Sequence, residues 1–243
     1  MNNNKANIYF IYHSGFAVKT YNHLLIFDYF KKPAEMNETA RKLLDMENLK
    51  NMQNVFVFSS HSHEDHFNPE ILEFEKYNAG IEYVLSSDIN VENKHNYNMI
   101  SEGEELHLGD LFVKAYGSTD LGISFLVKVD GLTIFHAGDL NWWHWKEDSA
   151  EERSLAEYSF KSEIEKLKIE DSIDIAFFPV DPRLEEYYYI GGKYFAENIK
   201  PKMLIPMHFG DNLDVTGEFK NKMKGTSVNI VELNYFGQQI VFN

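Results

Sequence analysis

The sequence contains no cysteine, which excludes disulfide bonds and thiolate metal ligands. Any bound metal would therefore depend on histidine and carboxylate side chains. Long apolar runs are also missing, because NVFVF and IAFFPV fall far short of the ~20 residues that cross a bilayer. The start, MNNNKANIYFIYHSGF, lacks the basic segment and continuous apolar stretch of a secretion signal. We expect a cytoplasmic protein with no membrane partner.

Basic residues are scarce, with 23 Lys and Arg against 38 Asp and Glu, and the formal net charge is −15. Such a surface repels phosphate backbones, so a nucleic-acid partner is not expected. The 243 residues are 44% hydrophobic, and no linker rich in Pro, Gly or Ser divides them. The sequence therefore predicts a single domain over residues 1–243 with one sizeable core.

Alternating strand and helix signals favour packed sheets covered by helices, an α/β (α+β) fold. Two segments are similar: GFAVKTYNHLLIFD at Gly15–Asp28 and SFLVKVDGLTIFHAGD at Ser124–Asp139. Each has the pattern of a β-hairpin, and Asp130-Gly131 is a strong two-residue turn signal. The similarity predicts two comparable halves, each built on a hairpin. Helices are predicted at Glu35–Leu49, Pro69–Tyr77, Ser154–Leu167, Gly192–Ile199 and Val215–Met223.

The segment FSSHSHEDHFNPE, Phe58–Glu70, contains three histidines and two acids within six consecutive residues. It follows an apolar strand, and alternate side chains of an extended chain face the same way, so His61 and His63 can face one point. Asp65 and His66, at the turn into the next helix, can face a second point. This pattern predicts two divalent metal ions ~3.5–4 Å apart. Zinc suits these ligands best, and manganese or iron also fits where oxygen ligands are numerous.

The same segment resembles the second signature motif of the metallo-β-lactamase fold superfamily. Three further segments match other motifs in the same order: Asp28 at the end of LLIFD, Asp139 in GLTIFHAGD and His208 in LIPMHFG. The resemblance spans Gly15 to Gly210 and implies a four-layer αββα sandwich. It also implies that Asp28 supports the metal loop and that Asp139 bridges both metals.

The branch of the superfamily that this chain most resembles contains ascorbate-6-phosphate lactonases and N-acyl-phosphatidylethanolamine phospholipase D. The stretches YHSGFAVKTYNHLLIFD and IFHAGD carry that similarity. The resemblance implies one metal held by His61, His63 and Asp139, and another held by Asp65, His66, Asp139 and His208.

The third motif of the superfamily, normally a histidine that completes the first metal's ligands, is absent. The segment Gly117–Gly122 stands in its place, with Thr119 in the histidine's position and Asp120 beside it. Asp120 is the favoured substitute, since Asp binds zinc well and Thr poorly. Two alternatives stay open. Another histidine, His13, His136 or His144, reaches in, or the first site is weak and one metal is bound.

The resemblance implies an enzyme, a metal-dependent hydrolase in which a metal-bound hydroxide attacks an ester-like bond of a small molecule. A lactone or a phosphodiester is the expected bond. Asp65 would orient the hydroxide or accept its proton, and His144 in HAGDLNWWHWKED is a candidate proton carrier. His13 is a candidate supporting residue. Arg183 is a candidate contact for an anionic group of the substrate.

A second hypothesis differs in class: a metal-binding sensor or scaffold of the same fold with little or no catalysis. The missing histidine of the third motif is its main support. A homo-oligomer is compatible with either hypothesis.

Overall fold

Two seven-stranded sheets form the body of the protein in a computed structural model, which describes residues 4–243. The first sheet contains β1 (Ala6–Tyr12), β2 (Gly15–Lys19), β3 (Leu24–Phe27), β4 (Val55–Ser59), β5 (Glu82–Ser86), β6 (Tyr97–Ile100) and β14 (Gln239–Phe242). The second contains β7 (Glu105–Leu108), β8 (Leu111–Tyr116), β9 (Ser124–Val129), β10 (Leu132–His136), β11 (Ile175–Pro179), β12 (Met203–Met207) and β13 (Asn229–Ile230).

The two sheets have matching topologies, with strand orders β14-β1-β2-β3-β4-β5-β6 and β7-β8-β9-β10-β11-β12-β13. The predicted hairpins are confirmed, since β2 pairs antiparallel with β3, and β9 with β10. Parallel strands follow in each sheet, β4 to β6 after β3 and β11 to β13 after β10. Ligand sites form outside the carboxyl ends of such strands, so the loops after them are the place to look for chemistry.

Helices cover the outer faces of both sheets and complete the predicted αββα sandwich. They are α1 (Glu38–Leu43), α2 (Met46–Leu49), α3 (Ala150–Leu167), α4 (Ile190–Ile199) and α5 (Asp214–Lys222), with 3₁₀ helices at Pro69–Lys76 and Pro182–Tyr187. On α4, Phe195 packs 4.5 Å from Phe178 of β11, measured between ring centroids. Within residues 4–243 no helix combines the length and apolar character needed to cross a membrane.

The core between the sheets is built from fully buried phenylalanines that meet across the gap. Phe16 of the first sheet lies 4.3 Å from Phe177 of the second, and Phe58 lies 5.3 Å from Phe125, centroid to centroid. Each such ring stabilises the fold by ~1.5–3 kcal/mol through burial. This packing holds the two carboxyl-terminal edges side by side.

The helix predicted over Glu35–Leu49 is wrong as a single element. Helix α1 ends at Leu43 and α2 begins at Met46. Asp45 between them has an extended backbone (φ −74°, ψ 138°) and occupies the N-cap position of α2. Asp favours such caps over helix interiors, and the apolar spacing of the segment hid that local preference.

Other boundaries also differ from the predictions. The segment predicted as a helix over Pro69–Tyr77 is 3₁₀ rather than α-helical. Helix α3 begins at Ala150 instead of Ser154, because Ser149 and Glu152 form a capping box that starts the helix earlier. Strands β6 and β7 were not predicted, since short strands of mixed polarity at a sheet edge carry a weak sequence signal.

Candidate metal centre

The candidate site lies at the carboxyl ends of five strands from both sheets. Asp28 follows β3, the histidine-rich loop from His61 follows β4, Asp139 follows β10, Asp181 follows β11, and His208 follows β12. Residues that are up to 180 positions apart in the chain therefore meet at one end of the sandwich.

The Asp139 carboxylate is the centre of this arrangement. Its oxygens lie 3.3 Å from Nε2 of His61, 3.1 Å from Nε2 of His66 and 3.2 Å from Nε2 of His208. All four side chains are buried. Among residues 4–243, Nε2 of His66 and Oδ1 of Asp139 have no hydrogen-bond partner despite their proximity. Buried polar atoms are normally satisfied, so this convergence fits a cation held between them.

The predicted ligands form overlapping groups whose donor atoms lie within 4.8 Å of one another. The groups are His61 with His63 and Asp65; His61 with His66 and Asp139; His63 with Asp120 and Asp139; and His13 with Asp65, His66 and His208. The shared acids Asp65 and Asp139 connect the groups. This donor set, rich in imidazole and carboxylate, suits two adjacent divalent ions.

The Nδ1 atoms of the same imidazoles contact oxygen atoms behind the candidate metal position. Asp28 Oδ2 lies 2.7 Å from Nδ1 of His66 and accepts the Ser60 hydroxyl at 2.7 Å. Ser60 Oγ in turn lies 3.0 Å from Nδ1 of His61. Each of these contacts places the proton on Nδ1 and leaves Nε2 free to act as a ligand. Asp28 therefore orients two histidines, one directly and one through Ser60.

Asp181 has the same relation to His208, and its role was missed in the sequence. Its Oδ2 lies 3.0 Å from Nδ1 of His208. Asp181-Pro182 has the pattern of a turn, which hid this role. Asp181 nevertheless directly follows an apolar strand, as Asp28 does. Arg183 forms a bidentate pair with Asp181, with Nε at 2.9 and 3.0 Å. That pairing offsets the charge on Arg183 that was expected to bind an anion.

The candidate replacements for the missing histidine differ in whether they lie near the other candidate ligands. Asp120 lies with His63 and Asp139, and His13 lies with the His208 group. His136 is instead bound to the backbone, with Nε2 2.9 Å from the Ser14 carbonyl oxygen. The Thr119 hydroxyl donates to the Asn141 carbonyl at 2.6 Å. His144 packs 4.2 Å from the Tyr187 ring and belongs to none of the groups.

Electrostatics favour negative carboxylates at this centre. Burial lowers the pKa of His66, but the carboxylates of Asp139 and Asp28 outweigh burial and raise it to about 10. Burial raises the pKa of Asp139, yet His66 and His208 hold it well below its usual value. For Asp181, the bonds from His208 and Arg183 outweigh burial and lower the pKa to about 2. Ionised carboxylates attract a cation.

Three of the seven non-glycine residues with left-handed φ angles among residues 4–243 lie at this site. His13, Asp28 and His208 have left-handed φ angles of 56°, 41° and 67°, each costing ~1–2 kcal/mol for an L-residue. Gly122, at φ +76°, packs under the histidine loop, where a Cβ would lie 2.2 Å from the Ser60 carbonyl oxygen and 2.4 Å from the His61 Cβ. Only glycine allows this approach, and such strain is typical of functional sites.

A cavity of about 290 Å³ opens beside the group formed by His13, Asp65, His66 and His208. Asp65, His13 and His208 line it together with Tyr12 and Arg183. Asp65 is the most exposed of the three candidate ligands in the wall, with 39% of its side chain accessible. A small molecule in the cavity would therefore meet Asp65 and the metal position together.

Solved structures share this fold along nearly the whole chain. Igni18, a metallo hydrolase of the hyperthermophilic archaeon Ignicoccus hospitalis, is 15% identical, with a TM-score of 0.63 over 98% of this chain and 99% of that one. YhfI, a metallo-beta-lactamase fold protein of Bacillus subtilis, is 13% identical, with a TM-score of 0.56 over 98% and 99%. CmlA, a diiron β-hydroxylase of Streptomyces venezuelae, is 11% identical, with a TM-score of 0.58 over 97% and 54%.

At this identity, these similarities establish the αββα fold alone. The sequence profile of the beta-lactamase superfamily domain matches residues 7–156. The chain belongs to the metallo-β-lactamase superfamily. No curated protein matches it by sequence. Superfamily membership supports a metal-dependent hydrolase in general, and CmlA shows that the same fold also carries other metal chemistry.

Proposed function

We propose that this protein is a hydrolase that uses two divalent metal ions to cleave an ester-like bond, a lactone or a phosphodiester, in a small molecule. The observation that carries the proposal is the convergence of three imidazole Nε2 atoms on Asp139, at 3.1 to 3.3 Å. Buried imidazoles that are held from behind by carboxylates are the usual way to present neutral ligands to zinc.

Some residues of the site would bind the metal ions, and others orient those ligands. His61, His66 and His208 present Nε2, while Asp28 and Asp181 fix their orientation. Bound divalent ions would lower the pKa of a water molecule and polarise the electrophilic oxygen of the substrate.

Asp65 is the residue placed to accept a proton from the attacking water, because it borders both the ligand groups and the cavity. Nε2 of His13 lies 3.3 Å from Asp65 Oδ2, and Nδ1 of His13 accepts the Gly210 amide hydrogen at 3.1 Å. The proton of neutral His13 is therefore on Nε2, facing the Asp65 carboxylate, and it orients that carboxylate.

Zinc is the proposed metal, with manganese or iron as the alternatives. The candidate donors are four histidines and three acids, His61, His63, His66, His208, Asp65, Asp120 and Asp139, since Nε2 of His13 carries a proton. Nitrogen-rich donor sets of this kind suit zinc, whereas additional oxygen donors favour manganese or iron.

The test combines metal analysis with turnover. Purified protein is expected to contain about two ions per chain and to hydrolyse members of a panel of lactones and phosphodiesters. His61→Ala should lose metal and at least about 100-fold in kcat/KM, since a direct ligand is removed. His95→Ala is the matched control, because His95 is exposed and belongs to no ligand group among residues 4–243.

Two results would contradict the proposal. Turnover unchanged in His61→Ala would separate the activity from this centre. Tight binding of metal with no turnover of any panel member would favour a metal-binding sensor or scaffold instead.

A further inference from the structure

All three tryptophans of the chain lie in one segment, Trp142, Trp143 and Trp145, directly after the bridging acid Asp139. Trp143 donates its indole N–H to the Asp139 carbonyl oxygen at 3.1 Å, and its ring lies 5.6 Å from the His208 ring. The rings of Trp143 and Trp145 are parallel, 5.9 Å apart with an interplanar angle of 4°. The segment is therefore tied to the metal ligands through Trp143, on which the Trp145 ring stacks.

A cleft of about 300 Å³ lies between this segment and helix α3. We call it the tryptophan cleft. Its apolar walls are Trp143, Trp145, Leu155 and Ala156. Leu155 is 64% exposed, so the cleft is open to solvent on the α3 side. Apolar walls beside a reaction centre suit the non-reacting part of a substrate.

The position of the tryptophan cleft connects it to the metal centre. Thr119, another lining residue, precedes the candidate ligand Asp120, and its hydroxyl donates to the Asn141 carbonyl. Asn141 also lines the cleft, and this bond fixes the Thr119–Asp120 segment against the segment that follows Asp139.

The charges around the cleft select against anions. Asp148 and Glu152 contribute carboxylates to the lining, and no lysine, arginine or histidine lines it. The Glu152 carboxylate accepts the Ser149 backbone N–H at 2.8 Å, a helix-capping bond that keeps it in place. A negatively charged group in the cleft would face two carboxylates and lose its hydration.

We propose that the tryptophan cleft binds an apolar substituent without negative charge, which is the non-reacting part of the substrate. This inference rests on the proposed hydrolase function, and it specifies the chemical character of that non-reacting part. The aromatic or aliphatic part of the substrate occupies the cleft, while the ester reaches the metal centre.

The first test measures binding without turnover. Because all tryptophans lie in Trp142–Trp145, fluorescence excited at wavelengths that tyrosine does not absorb reports on this segment alone. Benzamide titrated into zinc-loaded protein should change the fluorescence saturably, with a Kd on the order of 1 mM for so small a ligand. Leu155→Asp should weaken binding about tenfold by removing an apolar wall and adding a charge.

Tyr158→Asp is the matched control for this titration. Tyr158 is exposed on the same helix and does not line the cleft, so the variant carries the same added charge. Its affinity for benzamide should equal that of the wild type. Equal weakening in both variants, or no saturable binding to the wild type, would overturn the proposal.

The second test uses turnover of three lactones: γ-butyrolactone, γ-phenyl-γ-butyrolactone and the 4-carboxyphenyl analogue. The phenyl lactone should exceed the carboxyphenyl lactone in kcat/KM by at least about tenfold, and Leu155→Asp should reduce the preference for phenyl over the unsubstituted lactone. Hydrolysis of all three at similar rates would overturn the cleft but keep the hydrolase. Benzamide binding with no hydrolysis of any lactone, ester or phosphodiester would support the cleft and contradict the hydrolase.

Discussion

Two clusters of histidine and aspartate lie at opposite ends of the same strands. Strand β3 begins next to His23 and ends next to Asp28, while β10 follows the turn at Asp130 and leads to Asp139. At the turn end, His23 Nδ1 lies 2.9 Å from Asp130, and its Nε2 lies 3.0 Å from Asp110. His23 is buried, and each of its nitrogens has its own carboxylate.

The two clusters use the same residue types and differ in where the nitrogens point. At the turn end, the Asp130 carboxylate also accepts bonds from the Thr20 hydroxyl and the Asn22 amides. Within that cluster, both nitrogens of His23 and both oxygens of Asp130 therefore have hydrogen-bond partners. At the metal end, three Nε2 atoms share one carboxylate, and buried polar atoms lack partners. The metal site is therefore distinguished by buried donor atoms that meet without hydrogen-bond partners among residues 4–243, and not by its residue types.

A series of Asp→Asn substitutions tests this difference with one chemical change. Asp139→Asn should have the largest effect, because it removes the negative charge that Nε2 of His61, His66 and His208 share. Metal content should fall from about two ions to one or fewer, and kcat/KM should fall more than about 100-fold. Elemental analysis and lactone turnover measure both. Full retention of metal would show that the convergence on Asp139 is structural.

Asp181→Asn should have the next largest effect. It leaves every proposed ligand in place but weakens the bond that orients His208, so zinc affinity should fall about 10- to 100-fold. Competition with a chromogenic chelator measures this affinity. An affinity equal to that of the wild type would mean that Asp181 acts only through its pair with Arg183.

Asp130→Asn tests the other cluster. The amide presents N–H groups where Asp130 now accepts bonds, so unfolding of the metal-free protein should become easier by ~1–3 kcal/mol. Asn tolerates the left-handed backbone at φ 49° as well as Asp does. Urea titration measures stability, and zinc content should equal that of the wild type. Loss of zinc would break the distinction between the clusters.

The same variant has a signed pH dependence. Burial raises the pKa of Asp130, but bonds from Thr20, Asn22 and His23 outweigh burial and lower it. The folded state therefore gains stability from ionised Asp130 at pH values above its unfolded pKa. That gain is lost as pH falls below about 4 through the folded pKa. The stability gap between wild type and Asp130→Asn should shrink there, and a constant gap would contradict the assignment.

Asp120→Asn should have the smallest effect. Asp120 is exposed and lies with His63 and Asp139, so its loss should weaken the first metal by about tenfold or less. Glu64→Gln is the matched control, an exposed acid of the histidine loop that belongs to no ligand group among residues 4–243. Equal zinc affinity in both variants would mean that Asp120 does not replace the absent histidine.

Part of this centre could be predicted from local pattern, since the cluster from His61 to His66 directly follows an apolar run. Asp28, Asp139 and His208 were instead predicted from the resemblance to the superfamily's motifs. The hairpins were predicted correctly because Asp130-Gly131 and period-two alternation are local signals. The broken helix at Asp45 was missed because the apolar spacing continues through the segment and hides the local preference of Asp for an N-cap position.

The roles of individual side chains needed the fold. His144 lies between Trp143 and Trp145, five residues after Asp139, yet it packs on Tyr187 outside the ligand groups. His23 gave no local signal and proved to be buried between two acids. Short-range patterns carry no information about which nitrogen faces which carboxylate.

The sequence by itself determined the chemistry that is available, namely imidazole and carboxylate at strand ends without thiolate, and the hairpin repeat that organises two sheets. Only the tertiary structure decided which of these groups meet. Packing of the phenylalanine core sets the two sheets edge to edge, and that packing brings His208 and Asp139 to the loop of His61. Long-range contacts depend on the summed burial of many side chains, which no short segment encodes.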